Sequence, residues 1–221
     1  MDLFAASSPA SSVALTDKYR PQAIAEFIGL DKPRKLAAKI AANPPQSTNG
    51  GSYLFTGGPG LGKTTLALAM AAEMPAELHH IPSQDCNLET LRAVVSTCHY
   101  IPKAGCKRHV ILIDEADQMT PAAQMYLLSK MDATAPIPDT ILILTANDTE
   151  RLHERFLSRC IHIPFSAHGQ STQTAALLER VWDAEAPASA SRPNFARIVK
   201  EACNNVRASL MALQTEILLA D

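Results

Sequence analysis

No stretch of this chain approaches the roughly 20 consecutive apolar residues that a membrane-spanning helix needs. The first residues, Met1 to Ser12, have neither the basic start nor the apolar core of a secretory signal. Both absences predict an intracellular, cytoplasmic protein that makes no use of a membrane. Cysteines are few and odd in number, five in 221 residues, which is no disulfide framework and suits a reducing interior. Cys86, Cys98 and Cys106 have no close C-x-x-C pair, so even with His99 and His109 nearby the spacing gives no zinc module. An excess of positive charge is also missing. The net charge of -2 excludes a nucleic-acid binder that works through its overall field. Any such contact must be local, at helix N-termini or at Lys103, Lys107 and Arg108, a cluster that on its own reads as a solvated loop. Apolar residues, by contrast, make up 47% of the chain, enough for the core of one medium domain and a small second one.

One motif organises the rest. Gly57-Gly58-Pro59-Gly60-Leu61-Gly62-Lys63-Thr64 fits G-x-x-x-x-G-K-[ST], behind the apolar run Tyr53 to Thr56 and ahead of a helical pattern through Leu66 to Met70. Strand, glycine loop and helix come in the order that a phosphate cradle requires. Glycines let backbone N–H groups turn inward, and the helix N-terminus adds partial positive charge. Gly58, Pro59, Gly60, Leu61, Gly62, Lys63, Thr64 and Thr65 are therefore the expected contacts to a nucleoside triphosphate such as ATP, with Lys63 on the β- and γ-phosphates and the Thr64 hydroxyl on Mg²⁺.

Taken in order, residues 1–15 read as a loose tail of small side chains. Asp17-Lys18-Tyr19-Arg20-Pro21 and Phe27-Ile28-Gly29 follow, then a helix over Pro33 to Ala42; on composition these either wrap the base end of a nucleotide or pack in a core. Asn43 to Gly51 reads as a plain linker. Leu78 to Ile81 is a short strand, and Asn87 caps a helix whose first turn, near Ser83, Gln84 and Asp85, has N–H groups to offer a phosphate. Val110 to Ile113 is a strand buried on both faces that ends in Asp114-Glu115, placing Asp114 to hold Mg²⁺ through water and Glu115 to act as general base. Thr120 and Pro121 open a helix running to about Asp132. A second buried strand, Thr140 to Thr145, delivers Asn147 beside those acids, where a neutral amide can orient water. Arg151 to Ser158 reads as helix and Cys160 to Phe165 as strand. This alternation predicts an α/β parallel sheet flanked by helices over residues 16–166. Beyond Ala167 the strand signal disappears, and helices at Thr172 to Ala184, Asn194 to Cys203 and Asn205 to Leu219 predict a small all-helical domain over 167–221.

The combined motifs resemble the AAA+ ATPases, and within them the clamp-loader subunits, most closely the small subunits of replication factor C. Asp17 to Pro21 looks like the family's adenine-end segment, which brings in Tyr19, Arg20, Pro21 and Ile28. Val110 to Gln124 is similar to the Walker B segment and the helix after it, and Asn147 falls at sensor 1. Ser158-Arg159-Cys160 matches the Ser-Arg-Cys motif, whose arginine completes the ATP site of a neighbouring subunit. Arg207 stands at sensor 2, although Asn204-Asn205 replaces the usual Gly-Asp. Chemically, both arginines are fixed charges able to fork onto phosphate oxygens; the plain alternatives are a surface arginine for Arg159 and a helix-end salt-bridge partner for Arg207. The resemblance covers roughly residues 16–212 and implies an ATPase using Mg²⁺, active in an oligomer with other AAA+ subunits. It further implies a sliding clamp and primed or double-stranded DNA as partners, in replication or repair. Clamp-loader subunits continue into a helical collar where this chain stops. That leaves a nucleotide-binding adaptor with little turnover, or a different AAA+ remodeller, as alternatives.

Overall fold

The computed structural model describes residues 13–220. Its strands are β1 (Ser52–Thr56), β2 (Ala76–Ile81), β3 (Arg108–Ile113), β4 (Thr140–Ala146) and β5 (Ile161–Pro164). All neighbours are parallel, in the order β2-β3-β4-β1-β5. The helices are α1 (Leu15–Lys18), α2 (Asp31–Ala42), α3 (Lys63–Ala72), α4 (Leu88–Thr97), α5 (Pro121–Met131), α6 (Glu154–Leu157), α7 (Ser171–Glu185), α8 (Phe195–Glu201) and α9 (Val206–Ala220).

Strand side chains alternate between faces, so the continuous apolar runs of β3 and β4 serve two cores at once. Ile111, Ile113, Leu142 and Leu144 pack with α4, α5 and α6. Val110, Leu112, Ile141 and Ile143 pack on the opposite face with α2 and α3. Each of these strand side chains is essentially fully buried, a contribution of about 1.5–3 kcal/mol apiece before entropy is charged against it. The α/β expectation therefore holds, with helices on both faces. A third cluster joins α7, α8 and α9 through Leu178, Val181, Trp182, Ile198, Val199, Leu210 and Leu213.

Local signals set several boundaries. Asn87 accepts the Thr90 N–H and Thr120 the Ala123 N–H, each satisfying a first-turn donor, with Pro121 following Thr120. Three expectations change. Of the expected tail, residues 1–12 lie outside the described residues, but Leu15 is buried in the third cluster and its N–H donates to Gln214 Oε1 at 3.2 Å. The leading segment thus straps the C-terminal helices to the sheet, where Ile24 and Phe27 are buried. Residues 43–51 are not a plain linker either. Thr48 is buried there, accepts the Ile137 N–H at 2.9 Å and donates to the Lys130 carbonyl, while Ser47 bridges Pro138. Finally, the helix expected over Arg151 to Ser158 shrinks to α6, because Leu152 N–H closes a turn onto Thr149 and the buried Gln124 takes the His153 N–H.

Candidate functional site

The carboxyl end of β1 feeds directly into the glycine loop, and Lys63 starts α3. Gly60 needs a left-handed φ of 73°, and a Cβ there would collide with the Asn205 amide. The Lys63 ammonium is buried and donates to the carbonyls of Gly57 (2.6 Å) and Gly58 (2.9 Å) and to Asn147 Oδ1 (3.0 Å). Its three donors are thereby matched. Burial lowers its pKa from the usual lysine value, while Asp114, Asp117 and Glu115 pull the other way.

The acids stand at the ends of the neighbouring strands. Asp114 Oδ1 accepts from the Thr64 hydroxyl at 2.6 Å and from the Thr145 hydroxyl at 2.5 Å. Thr145 in turn accepts the Glu115 N–H at 3.0 Å, so one buried hydroxyl fixes both acids. Glu115 has a left-handed φ of 49°, uncommon for a side chain of this kind, and its exposed carboxylate accepts from Ser83 Oγ at 3.1 Å. The buried Asp117 accepts the Asn147 N–H at 3.3 Å. The sheet thus brings Lys63, Thr64, Asp114, Glu115 and Asn147 together. Sequence reasoning passed over Thr145 and Asp117, since a threonine ending an apolar strand and a third acid in a run carry no signal until the strands are paired.

A cleft of about 450 Å³ lies between the sheet and the C-terminal helices. Of the expected nucleotide contacts, Tyr19, Arg20, Pro21, Ile28, Gly60, Leu61, Gly62, Thr65 and Arg207 line it, joined by Arg180, which the sequence reading did not name. Tyr19 OH donates to Glu185 Oε1 at 2.5 Å, and Lys18 pairs with the same carboxylate. Burial first, then this bond, pushes the Tyr19 phenol up to about 12. Gly58 and Pro59 sit beyond the cleft at the loop tip, where Asn205 Nδ2 donates to the Pro59 carbonyl at 2.9 Å.

Arg159 is elsewhere. Ile161 pairs with Tyr53 and Pro164 with Thr56, so Arg159 lies at the amino ends of the strands while the loop lies past their carboxyl ends. The five residues of β1 separate the two levels, roughly 17 Å of strand. The Arg159 guanidinium forks onto Asp132, with Nε to Oδ1 at 2.8 Å and Nη2 to Oδ2 at 3.0 Å. Two members of the basic cluster are engaged locally. Lys103 pairs with Glu77 and Arg108 donates to the Pro45 carbonyl. Among the described residues, no helix is long and apolar enough to cross a membrane.

Comparison with known proteins places this geometry. The model of the ATPase family associated with various cellular activities (AAA) matches residues 53–166. The chain is 31% identical over 157 residues to replication factor C small subunit 1 of Pyrobaculum islandicum, covering 68% of this chain and 46% of that protein. It is 27% identical over 161 residues to replication factor C subunit 4 of Encephalitozoon cuniculi, covering 71% and 50%. The chain spans about half the length of the curated relatives it matches. Among solved structures, a RuvB variant of Thermotoga maritima superposes with a TM-score of 0.69 at 20% identity, covering 89% of this chain and 64% of that one. At that identity the likeness is one of fold.

Proposed function

Because the chain belongs to the AAA family of ATPases, we propose that it hydrolyses ATP with Mg²⁺ at the loop between β1 and α3, and that a neighbouring subunit completes the site with its own copy of Arg159. The observation that carries this reading is the convergence of Lys63, the Thr64–Asp114 pair, Glu115 and Asn147, with Arg159 at the far end of the same sheet.

The donor set fits the implied groups. Thr64 and Asp114 offer oxygen to a hard cation, and the loop offers backbone N–H groups and an ammonium to a triphosphate. Thr64 and, through water, Asp114 would hold Mg²⁺, which when bound neutralises charge on the β- and γ-phosphate oxygens. Lys63 exchanges its loop carbonyls for phosphate oxygens. Glu115 takes the proton of the attacking water, and Asn147 orients that water. Arg207 and the cleft formed by Tyr19, Arg20, Pro21, Ile28, Leu61 and Thr65 hold the nucleotide from the C-terminal helices and the leading strap. Arg159, too far from its own loop, stabilises charge on a neighbour's γ-phosphate. The division at 166/167 separates a nucleotide-binding unit from a lid that senses the nucleotide.

Replication factor C relatives support a clamp-loader type of task in DNA replication or repair, with other AAA+ subunits, a sliding clamp and primed or double-stranded DNA as partners. The test is the mass of the chain in solution, with and without a slowly hydrolysed ATP analogue, beside the ATPase rate as concentration rises. Assembly on nucleotide with a rising rate per chain supports the reading. A monomer that turns ATP over at a concentration-independent rate contradicts it.

A further inference from the structure

We propose that His79, Cys98 and His109 form a binding site for a single borderline-soft divalent transition ion, zinc being the ion whose ligands and geometry they suit, with Glu77 or a water in the fourth position. Three elements contribute: His79 lies on β2, His109 on the adjacent β3, and Cys98 is the residue that closes α4. Their ligand atoms all lie within 4.8 Å of one another. Zinc bonds of about 2.0–2.1 Å to nitrogen and about 2.3 Å to sulfur hold tetrahedral ligand atoms roughly 3.3–3.6 Å apart, so side-chain shifts on the order of 1 Å complete the site.

The hydrogen bonds favour this use. His109 Nε2 lies 3.0 Å from the Tyr100 carbonyl, which can only accept, so Nε2 carries the proton and Nδ1 turns its lone pair toward the cluster. Metal-binding histidines are commonly anchored in this way, by the other ring N–H on a backbone carbonyl. His79 Nε2 faces that lone pair at 3.0 Å, and His79 is only half-buried, so it is free to take the tautomer that points a second lone pair inward. Glu77 Oε2 is 3.8 Å from His109 Nδ1, held by the Lys103 N–H at 2.9 Å. A Cys98 thiolate and the Glu77 carboxylate together match the charge of a divalent ion. Burial first and Glu77 second push the Cys98 thiol up to about 12, so binding an ion here releases the thiol proton.

The site lies on β2 and β3, with Glu77 and His109 paired near their amino ends and His79 two residues further along β2; β4 stands between these strands and β1, and the nitrogen and sulfur donors differ in kind from the oxygen pair at the phosphate loop. Its sequence spacing hid it: the ligands are 19 and 11 residues apart and contain no C-x-x-C. An ion here would pin the β2 edge and the end of α4 to β3.

Cobalt(II) is the probe, titrated into the full chain in excess Mg²⁺ so that oxygen sites are filled. The expected result is saturation at one equivalent, with the visible bands of tetrahedral cobalt and a thiolate charge-transfer band, both removed by Zn²⁺. Cys98→Ser should lose the charge-transfer band and Cys106→Ser should keep it. His79→Gln, at a half-exposed position that folding tolerates, should weaken cobalt binding at least about tenfold with an unchanged circular dichroism spectrum. No thiolate band, or a band that survives in folded Cys98→Ser, overturns the proposal; so does unchanged affinity in His79→Gln. In each of those cases the trio is a packed imidazole pair beside a buried thiol.

Discussion

Asn205 holds Pro59: its Nδ2 donates to the Pro59 carbonyl at 2.9 Å while its Oδ1 accepts the Ala208 N–H at 3.0 Å. One amide therefore caps α9 and grips the phosphate loop. An aspartate would keep the cap but has nothing to donate, which gives the departure from Gly-Asp a physical sense. Asn204, with φ of 59°, takes a left-handed conformation that asparagine tolerates in place of glycine. Asn205→Asp should thus weaken ATP binding about 2–10-fold, from a bond worth about 0.5–1.5 kcal/mol, with little change in melting temperature. Calorimetric titration of a slowly hydrolysed analogue checks this, and unchanged affinity would show that the contact is incidental.

Thr145 is a positioning residue, since its hydroxyl touches both acids and acts through them. Thr145→Val keeps the shape and removes both hydrogen bonds, so turnover should fall about tenfold or more, and the Mg²⁺ concentration needed for half-maximal rate should rise. Thr145→Ser should restore both. A valine variant with an unchanged Mg²⁺ requirement would leave Thr145 as mere packing.

Lys63→Ala removes the ammonium that sits in the loop and leaves the Asn147 amide without that donor. Tight ATP binding should be lost. Glu115→Gln, in contrast, should bind normally and fail to turn over, because the amide cannot take a proton. Separate binding and single-turnover measurements distinguish the two, and normal turnover by Glu115→Gln would require another base.

The strap onto the C-terminal helices has a pH signature. Tyr19 has a folded pKa near 12 against an ordinary value of 10.0, so the folded chain keeps a proton that the unfolded chain has already released. Its stabilisation is complete below about pH 10 and is lost as the pH rises toward about 12. The melting-temperature gap between wild type and Tyr19→Phe should therefore narrow over that window. A gap that stays constant would mean the bond to Glu185 does not persist in solution.

What the sequence revealed was local chemistry. The glycine loop, the Asn87 and Thr120 caps and the buried strands all read from neighbours within a few residues, and the structure keeps them. What it hid were pairings over long separations: Thr145 with Asp114 (31 residues), Thr48 with Ile137 (89) and Leu15 with Gln214 (199). Thr145 and Thr48 look like any strand or loop threonine, because the partner that gives each a role is supplied by the sheet order. The strap was misjudged for the same reason, since the small side chains around it conceal Leu15, which packs among the C-terminal helices.

Arg159 cannot reach its own loop, so complementation tests the central claim most directly. Lys63→Ala and Arg159→Ala chains should each be inactive alone. Mixed in equal amounts, they should regain up to about a quarter of wild-type turnover, because an Arg159→Ala chain keeps its loop and a Lys63→Ala neighbour still donates its arginine. An inactive mixture, or full activity of Arg159→Ala alone, would contradict the account.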